Sequence, residues 1–313
     1  MTRPQAPLPH LHGRALLTDG GLETTLVFHD GIDLPAFAAF VLLDSDDGRA
    51  RLKRYYQHYL RIAAEQGRGF LLEAPTWRAN RDWAESLGYD APARARINRD
   101  AIALLVELRD ACAKDPTPIV ISGCIGPRAD GYTVAARMSS QEAADYHAEQ
   151  IHTFAGTAAD LASAYTLNYV EEAIGIVRAG QQAGLPVVIS FTVDTDGHLP
   201  SGQPLGEAIA ETDAATRGGP VYYMINCAHP SHFADVLAPE APWLARVRGL
   251  RANASCKSHA ELDAATELDI GDPSDLAARY ERLRSRLPRL AVIGGCCGTD
   301  HRHVSAIGAA FAD

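Results

Sequence analysis

Residues 291–300 read AVIGGCCGTD, a short apolar run that stops at two glycines and then presents two adjacent cysteines, Cys296 and Cys297. A run this short and this uniformly apolar is the pattern of a strand buried on both faces, as in a parallel sheet. Seven earlier runs have the same character: ALLTDG (15–20), GFLLEA (69–74), PIVISG (118–123), DLASAYT (160–166), PVVISFTV (186–193), VYYMINC (221–227) and RGLRANA (248–254). Between them, residues 49–66, 92–114, 140–158, 169–184 and 273–287 are rich in Ala, Leu, Glu and Arg and favour helix. The last of these begins DPSDLAARY, with Asp272 or Ser274 available as its N-cap. Eight strands alternating with helices predict an α/β fold, a (β/α)8 TIM barrel. It is expected to be a single domain over 1–313, with an irregular stretch at 1–13. Alternation alone leaves an open doubly wound sheet as the alternative.

The bulk numbers agree with an ordinary globular enzyme or binding protein. Of the 313 residues 47% are hydrophobic and 22% charged, and the formal net charge is −10. That balance gives no basic footprint for nucleic acid, which is not expected as a partner. No apolar run reaches the roughly 20 residues a membrane-spanning helix needs. The Pro-rich start MTRPQAPLPHLHGR lacks the apolar centre of a signal peptide. Six cysteines are too few for a disulfide scaffold. The expected compartment is the reducing cytoplasm, where thiols stay available as ligands; a homo-oligomer is compatible with the sequence.

In such a barrel the carboxyl ends of the strands carry the site. The polar or special residues there are Asp19 with two glycines, Glu73 and Thr76, Gly123 to Gly126, Tyr165 with Thr166, Thr192 and Asp194, Asn226 with Cys227, Asn253 and Ser255, and Cys296 with Cys297. A cysteine is most often a small apolar filler, which suits Cys112, Cys124 and Cys256. Cys227, Cys296 and Cys297 differ, because all three fall at strand ends beside glycine or Asn. Three thiolates there could hold a zinc ion and leave its fourth position to a substrate sulfur. The spacing lacks the CxxC form of common structural zinc sites, and a redox couple of the vicinal pair is the rival reading. His229, His232, His301 and His303 flank the cysteines and read as loop residues, since three thiolates already fill the protein's share of such a site.

GGCCGT at 294–299 and INC at 225–227 resemble the homocysteine S-methyltransferase family, which includes betaine– and S-methylmethionine-dependent enzymes. TDGGLETTL at 18–26, EAPTW at 73–77, SGCIGP at 122–127 and SFTVDTDGHLPSGQPLGEAI at 190–209 are similar to further family stretches, in order along nearly the whole chain. The resemblance implies a zinc-bearing barrel that methylates a small thiol, with Cys227, Cys296 and Cys297 as the Zn2+ ligands. It places the family's substrate-binding Asp on Asp19, its strand-two Thr on Thr76 and the Asn before the first zinc cysteine on Asn226. The partners it implies are a small-molecule thiol acceptor, homocysteine or a related thiol or selenol, and an onium methyl donor, in methionine biosynthesis. Zinc binding favours the deprotonated sulfur, and in-line alignment of sulfur, methyl and leaving group supplies much of the remaining acceleration. No protein nucleophile is required.

The chain departs from the family at strand four. Where a Glu-Thr pair holds the acceptor's amino group, this sequence reads SAYTLNY, with Tyr165 in the glutamate position. Tyrosine supplies no negative charge at neutral pH. Glu73, at the end of strand two, is the residue expected to replace that carboxylate, unless the acceptor lacks an amino group. Trp77, Trp83 and Tyr132 fall in βα loops, where aromatic faces serve either packing or a cationic donor. The remaining alternatives are a zinc-dependent methyltransferase or demethylase acting on a separate thiol carrier, and a zinc-binding barrel without turnover.

Overall fold

Inward-facing positions of the strands change character along their length, and this gradient organises the molecule. Leu71 is followed two residues later by Glu73, Val120 by Ser122, Val188 by Ser190, and Met224 by Asn226. Because strand side chains alternate faces, each pair lies on one side of its strand. The inner surface is thus apolar at the strands' amino ends and polar at their carboxyl ends. The intervening residues, such as Leu72, Ile121, Ile189 and Ile225, join the larger apolar layer between strands and helices.

The structure, a computed structural model, describes residues 8–11, 13–112, 117–134, 137–238 and 240–311. Its strands are β1 (Leu16–Leu17), β2 (Phe70–Glu73), β3 (Ile119–Ile125), β4 (Leu161–Leu167), β5 (Val187–Phe191), β6 (Tyr223–Asn226), β7 (Val247–Ala252) and β8 (Val292–Gly295). Each pairs in parallel with its sequence neighbours, and β1 closes on β8 through Leu16↔Val292 and Leu17↔Ile293. The expected (β/α)8 barrel is therefore the fold, and closure removes the open-sheet alternative.

Helices follow the strands in turn: α1 (Asp46–Glu65), α2 (Ala91–Ala111), α3 (Ser140–Ala155), α4 (Val170–Ala183), α5 (Leu205–Thr216), the single turn α6 (Pro230–Phe233), α7 (Pro273–Arg284) and α8 (His301–Ala310). Side chains at the amino ends fix their starts. Ser45, Asp90, Ser139, Asp272 and Asp300 each accept a hydrogen bond from a first-turn backbone N–H. Gly184 ends α4 in the left-handed region at φ 67°.

The amino-terminal stretch closes the barrel floor. Leu8 and Leu11 pack against the inner cluster of Leu16, Leu71 and Tyr222, and buried His10 reaches the Tyr222 hydroxyl at 3.2 Å. Of the stretch 1–13 expected to be irregular, residues 1–7 and 12 lie outside the described residues, and Pro9–Leu11 form a 3-10 turn. Among the described residues no helix is long and apolar enough to cross a membrane.

Candidate active site and metal centre

The polar ends of the strands converge on one cavity of about 410 Å³ at the carboxyl mouth of the barrel. Cys227, Cys296 and Cys297 share its wall, their sulfurs all within 4.8 Å of one another. Cys227 and Cys296 are joined as a disulfide with Cα atoms 5.4 Å apart, and Cys297 keeps its thiol. The bonded pair thus links β6 to β8, and is not the vicinal pair that the sequence offered as a redox couple. The Cys297 sulfur lies 3.8 Å from that of Cys227. Zinc–sulfur bonds of about 2.3 Å at tetrahedral angles place sulfurs about 3.8 Å apart, so the reduced trio fits a thiolate-bound ion. Burial raises the Cys297 thiol to about 11, so a nearby cation is needed to hold it as thiolate at neutral pH.

Backbone geometry aims these sulfurs. Cys227 adopts φ 53°, a left-handed conformation unfavourable for a residue with a side chain. Three donors hold its carbonyl there: His259 Nε2 at 2.7 Å, Asn253 Nδ2 at 3.1 Å and Thr192 Oγ1 at 3.4 Å. Thr166, at φ 61° near the end of β4, is held instead through its N–H and hydroxyl by Asn226. The Asn226 amide accepts from the Thr166 N–H at 2.9 Å and the Ser190 hydroxyl at 2.6 Å. It donates to Thr166 Oγ1 at 2.9 Å and approaches the Cys296 sulfur at 3.9 Å. On the β8 side, Gly298 takes φ 77°, and a Cβ on Gly21 would collide with the Cys296 carbonyl.

Asp19 is buried and doubly engaged. Its Oδ1 accepts from Arg251 Nη2 at 2.6 Å and its Oδ2 from the Tyr55 hydroxyl at 3.0 Å. Burial raises the Asp19 carboxyl, and the Arg251 guanidinium opposes that rise. Burial also works against the Arg251 charge, but Asp19, Tyr165 and Glu73 outweigh it and keep the guanidinium protonated. Across the cavity the Tyr165 hydroxyl donates to Glu73 Oε1 at 2.6 Å, with Arg251 5.1 Å from the Tyr165 ring centre. Glu73 Oε2 is buried without a partner, and burial lifts the carboxyl from 4.5 to about 7. Tyr165 thus directly grips Glu73, the carboxylate expected from the sequence to supply the negative charge that a tyrosine lacks.

Asp19, Glu73, Tyr165, Asn226 and the three cysteines all border the cavity. Thr76 does not: it is fully buried, with its hydroxyl on the Cys124 carbonyl at 2.7 Å. The flanking histidines, read from sequence as loop residues, lie on helices: His229 caps α6, His232 lies within it, and His301 and His303 belong to α8, with His303 against Asp300. Glu23, Arg78, Arg251 and His259 also border the cavity and were not anticipated. Glu23 is lifted to about 7, chiefly by burial. It lies in TDGGLETTL, so its neighbourhood was legible although its inward aim was not. Tyr132 stacks on His259 with ring centres 4.0 Å apart and brings its hydroxyl to 3.8 Å from the Cys297 sulfur.

The homocysteine S-methyltransferase family model matches residues 16–311 of the chain. Among solved structures, the metallated form of the homocysteine methyltransferase MmuM from Escherichia coli superposes with a TM-score of 0.75 at 19% identity, covering 95% of this chain and 96% of that one. Its oxidised form gives 0.76 over the same shares at 19% identity. The apo form gives 0.68 at 19% identity, over 96% of each chain. At that identity the likeness shows the shared barrel. Comparison of the sequence with curated proteins found no match. The family model spans the closed barrel from β1 to the end of α8, and the chain belongs to the homocysteine S-methyltransferase family as a methyltransferase enzyme.

Proposed function

We propose that this enzyme transfers a methyl group from a sulfonium or ammonium donor to a small thiol, with Zn2+ held by Cys227, Cys296 and Cys297. Homocysteine is the first acceptor to test. The observation that carries the reading is the meeting of three sulfurs from two strands on the wall of one substrate-sized cavity. When bound, zinc supplies the Lewis acidity that lowers the proton affinity of the acceptor thiol. A disulfide sulfur is not a thiolate, so metal loading requires the reduced trio, and the reducing cytoplasm is the compartment that suits it.

The chain's own residues orient the reactants. In the transfer a sulfur–carbon bond forms as the donor's carbon–sulfonium or carbon–ammonium bond breaks. The leaving group departs as a neutral thioether or amine, and the thiol proton passes to solvent. Glu73 receives the acceptor ammonium in this reading, which its unpartnered Oε2 and the Tyr165 hydroxyl on its Oε1 support. Asp19 acts with Arg251 as a neutralised pair and not as a free carboxylate. The acidic lining, Glu23 and Asp263 among it, favours cationic groups, and Trp77 and Tyr132 offer aromatic faces to an onium methyl.

Metal analysis of reduced protein tests the centre. A single zinc per chain is expected, lost in Cys296→Ser and Cys297→Ser and retained in Cys124→Ser. Undiminished zinc in the first two variants would remove the proposed centre. A mass-spectrometric screen of thiols against S-methylmethionine, S-adenosylmethionine and betaine then identifies the pair. Methyl transfer to no free thiol would leave a separate thiol carrier as the acceptor.

A further inference from the structure

Arg78 lies in the loop after β2 at the barrel mouth and is buried, with 8% of its surface exposed. Its guanidinium lies between two indoles, 4.1 Å from the ring centre of Trp77 and 3.8 Å from that of Trp83. Nη1 donates to the Ala129 carbonyl at 3.2 Å, while Nε is buried without a partner. No carboxylate pairs with it among the described residues. The acidic groups whose charge acts on it are Asp130, whose Oδ1 accepts from the Tyr132 and Thr133 N–H groups, and Glu23. Burial lowers the Arg78 guanidinium only to about 10, so it remains charged at neutral pH. A buried cation with no counter-ion is costly, and the two indole faces compensate it in part while fixing its plane. Arg78 borders the cavity at the barrel mouth.

We propose that Arg78 is the anchor for a substrate carboxylate and so a specificity-determining residue of the methyl transfer. A planar guanidinium edge matches a carboxylate with two parallel hydrogen bonds. The acidic lining, with Glu23, Glu73 and Asp130 in it, disfavours a dianion such as phosphate and suits a zwitterion, whose positive end faces these acids while its carboxylate meets Arg78. Both an amino-acid thiol and a carboxylated onium donor have this chemistry. The assignment rests on the methyl-transfer reading for its choice of probes.

Calorimetric titration of the reduced protein separates the two sources without turnover. One arm compares homocysteine with 3-aminopropanethiol, which lacks the carboxylate. The other compares S-methylmethionine with (3-aminopropyl)dimethylsulfonium. In Arg78→Gln the carboxylate-bearing member of one pair is expected to bind about tenfold or more weakly, as loss of a charge-assisted pair implies, with its partner unchanged. The pair that responds identifies the anchored substrate. Arg78→Lys, which keeps the charge without the fork, should lose part of that affinity and serves where the Gln variant does not fold. Equal loss within both pairs, no loss in either, or no binding of any carboxylate probe by the parent protein would overturn the assignment. Intact binding with no methyl transfer would instead overturn the reaction and leave Arg78 as a carboxylate site.

Discussion

Glu73 lies inside the barrel with one oxygen on Tyr165 and the other bare. Its carboxyl is lifted from 4.5 to about 7, mainly by burial. A raised carboxyl binds its proton more tightly in the folded state, so its contribution to stability is whole below about pH 4.5. That contribution falls as pH rises and is gone above about pH 7. The shift corresponds to at most about 3 kcal/mol. Glu73→Gln is therefore expected to melt higher than the parent at pH 8, with the gap closing at pH 4.5 in paired thermal scans. A gap independent of pH would show that Glu73 is not strained by its charge. The three cysteines were legible at this scale because their residue type and strand-end position carry the chemistry. Glu23, Arg78 and Arg251 were not, since nothing in a lone charged residue says which face of the backbone it leaves. The Arg251–Asp19 pair joins residues 232 positions apart.

The ends of β4, β5 and β6 are tied together by one side chain. Asn226, on β6, bonds the backbone and hydroxyl of Thr166 and the hydroxyl of Ser190. Removing the amide leaves a buried N–H and hydroxyls without partners, and Thr166 without support for its left-handed backbone. Asn226→Ala is expected to cost about 2–4 kcal/mol in denaturant-induced unfolding and to weaken metal retention, because the Cys296 sulfur loses the same neighbour. Parent-like stability would show that the strand ends hold without this tie. All eight strands and five of the helices could be read from apolar runs and helix-forming composition. Helices α5 and α8, with the single turn α6, escaped that reading. The first follows a Pro- and Gly-rich loop, and the second begins within three residues of GGCCGT, with Asp300 and His303 in place of a Ser/Glu capping pair.

At the scale of the molecule, the alternation of strands and helices was enough to give the barrel, and the order of its motifs was enough to give the family. The floor was harder to read. A Pro-rich start suggests irregular chain, and only closure of the barrel reveals that Leu8, His10 and Leu11 have an interior to fill. Burial lowers His10 to about 4, so the plug is uncharged at neutral pH. With the described residues Leu8, His10 and Leu11 packed into the floor, both reactants are expected to enter by the carboxyl mouth, so that whichever enters second blocks the exit of the first. Initial-rate measurements at crossed substrate concentrations should then give intersecting reciprocal lines, with inhibition when the second-binding reactant arrives too early and forms a dead-end complex. Parallel lines would mean that the methyl group is parked on the protein between two separate visits.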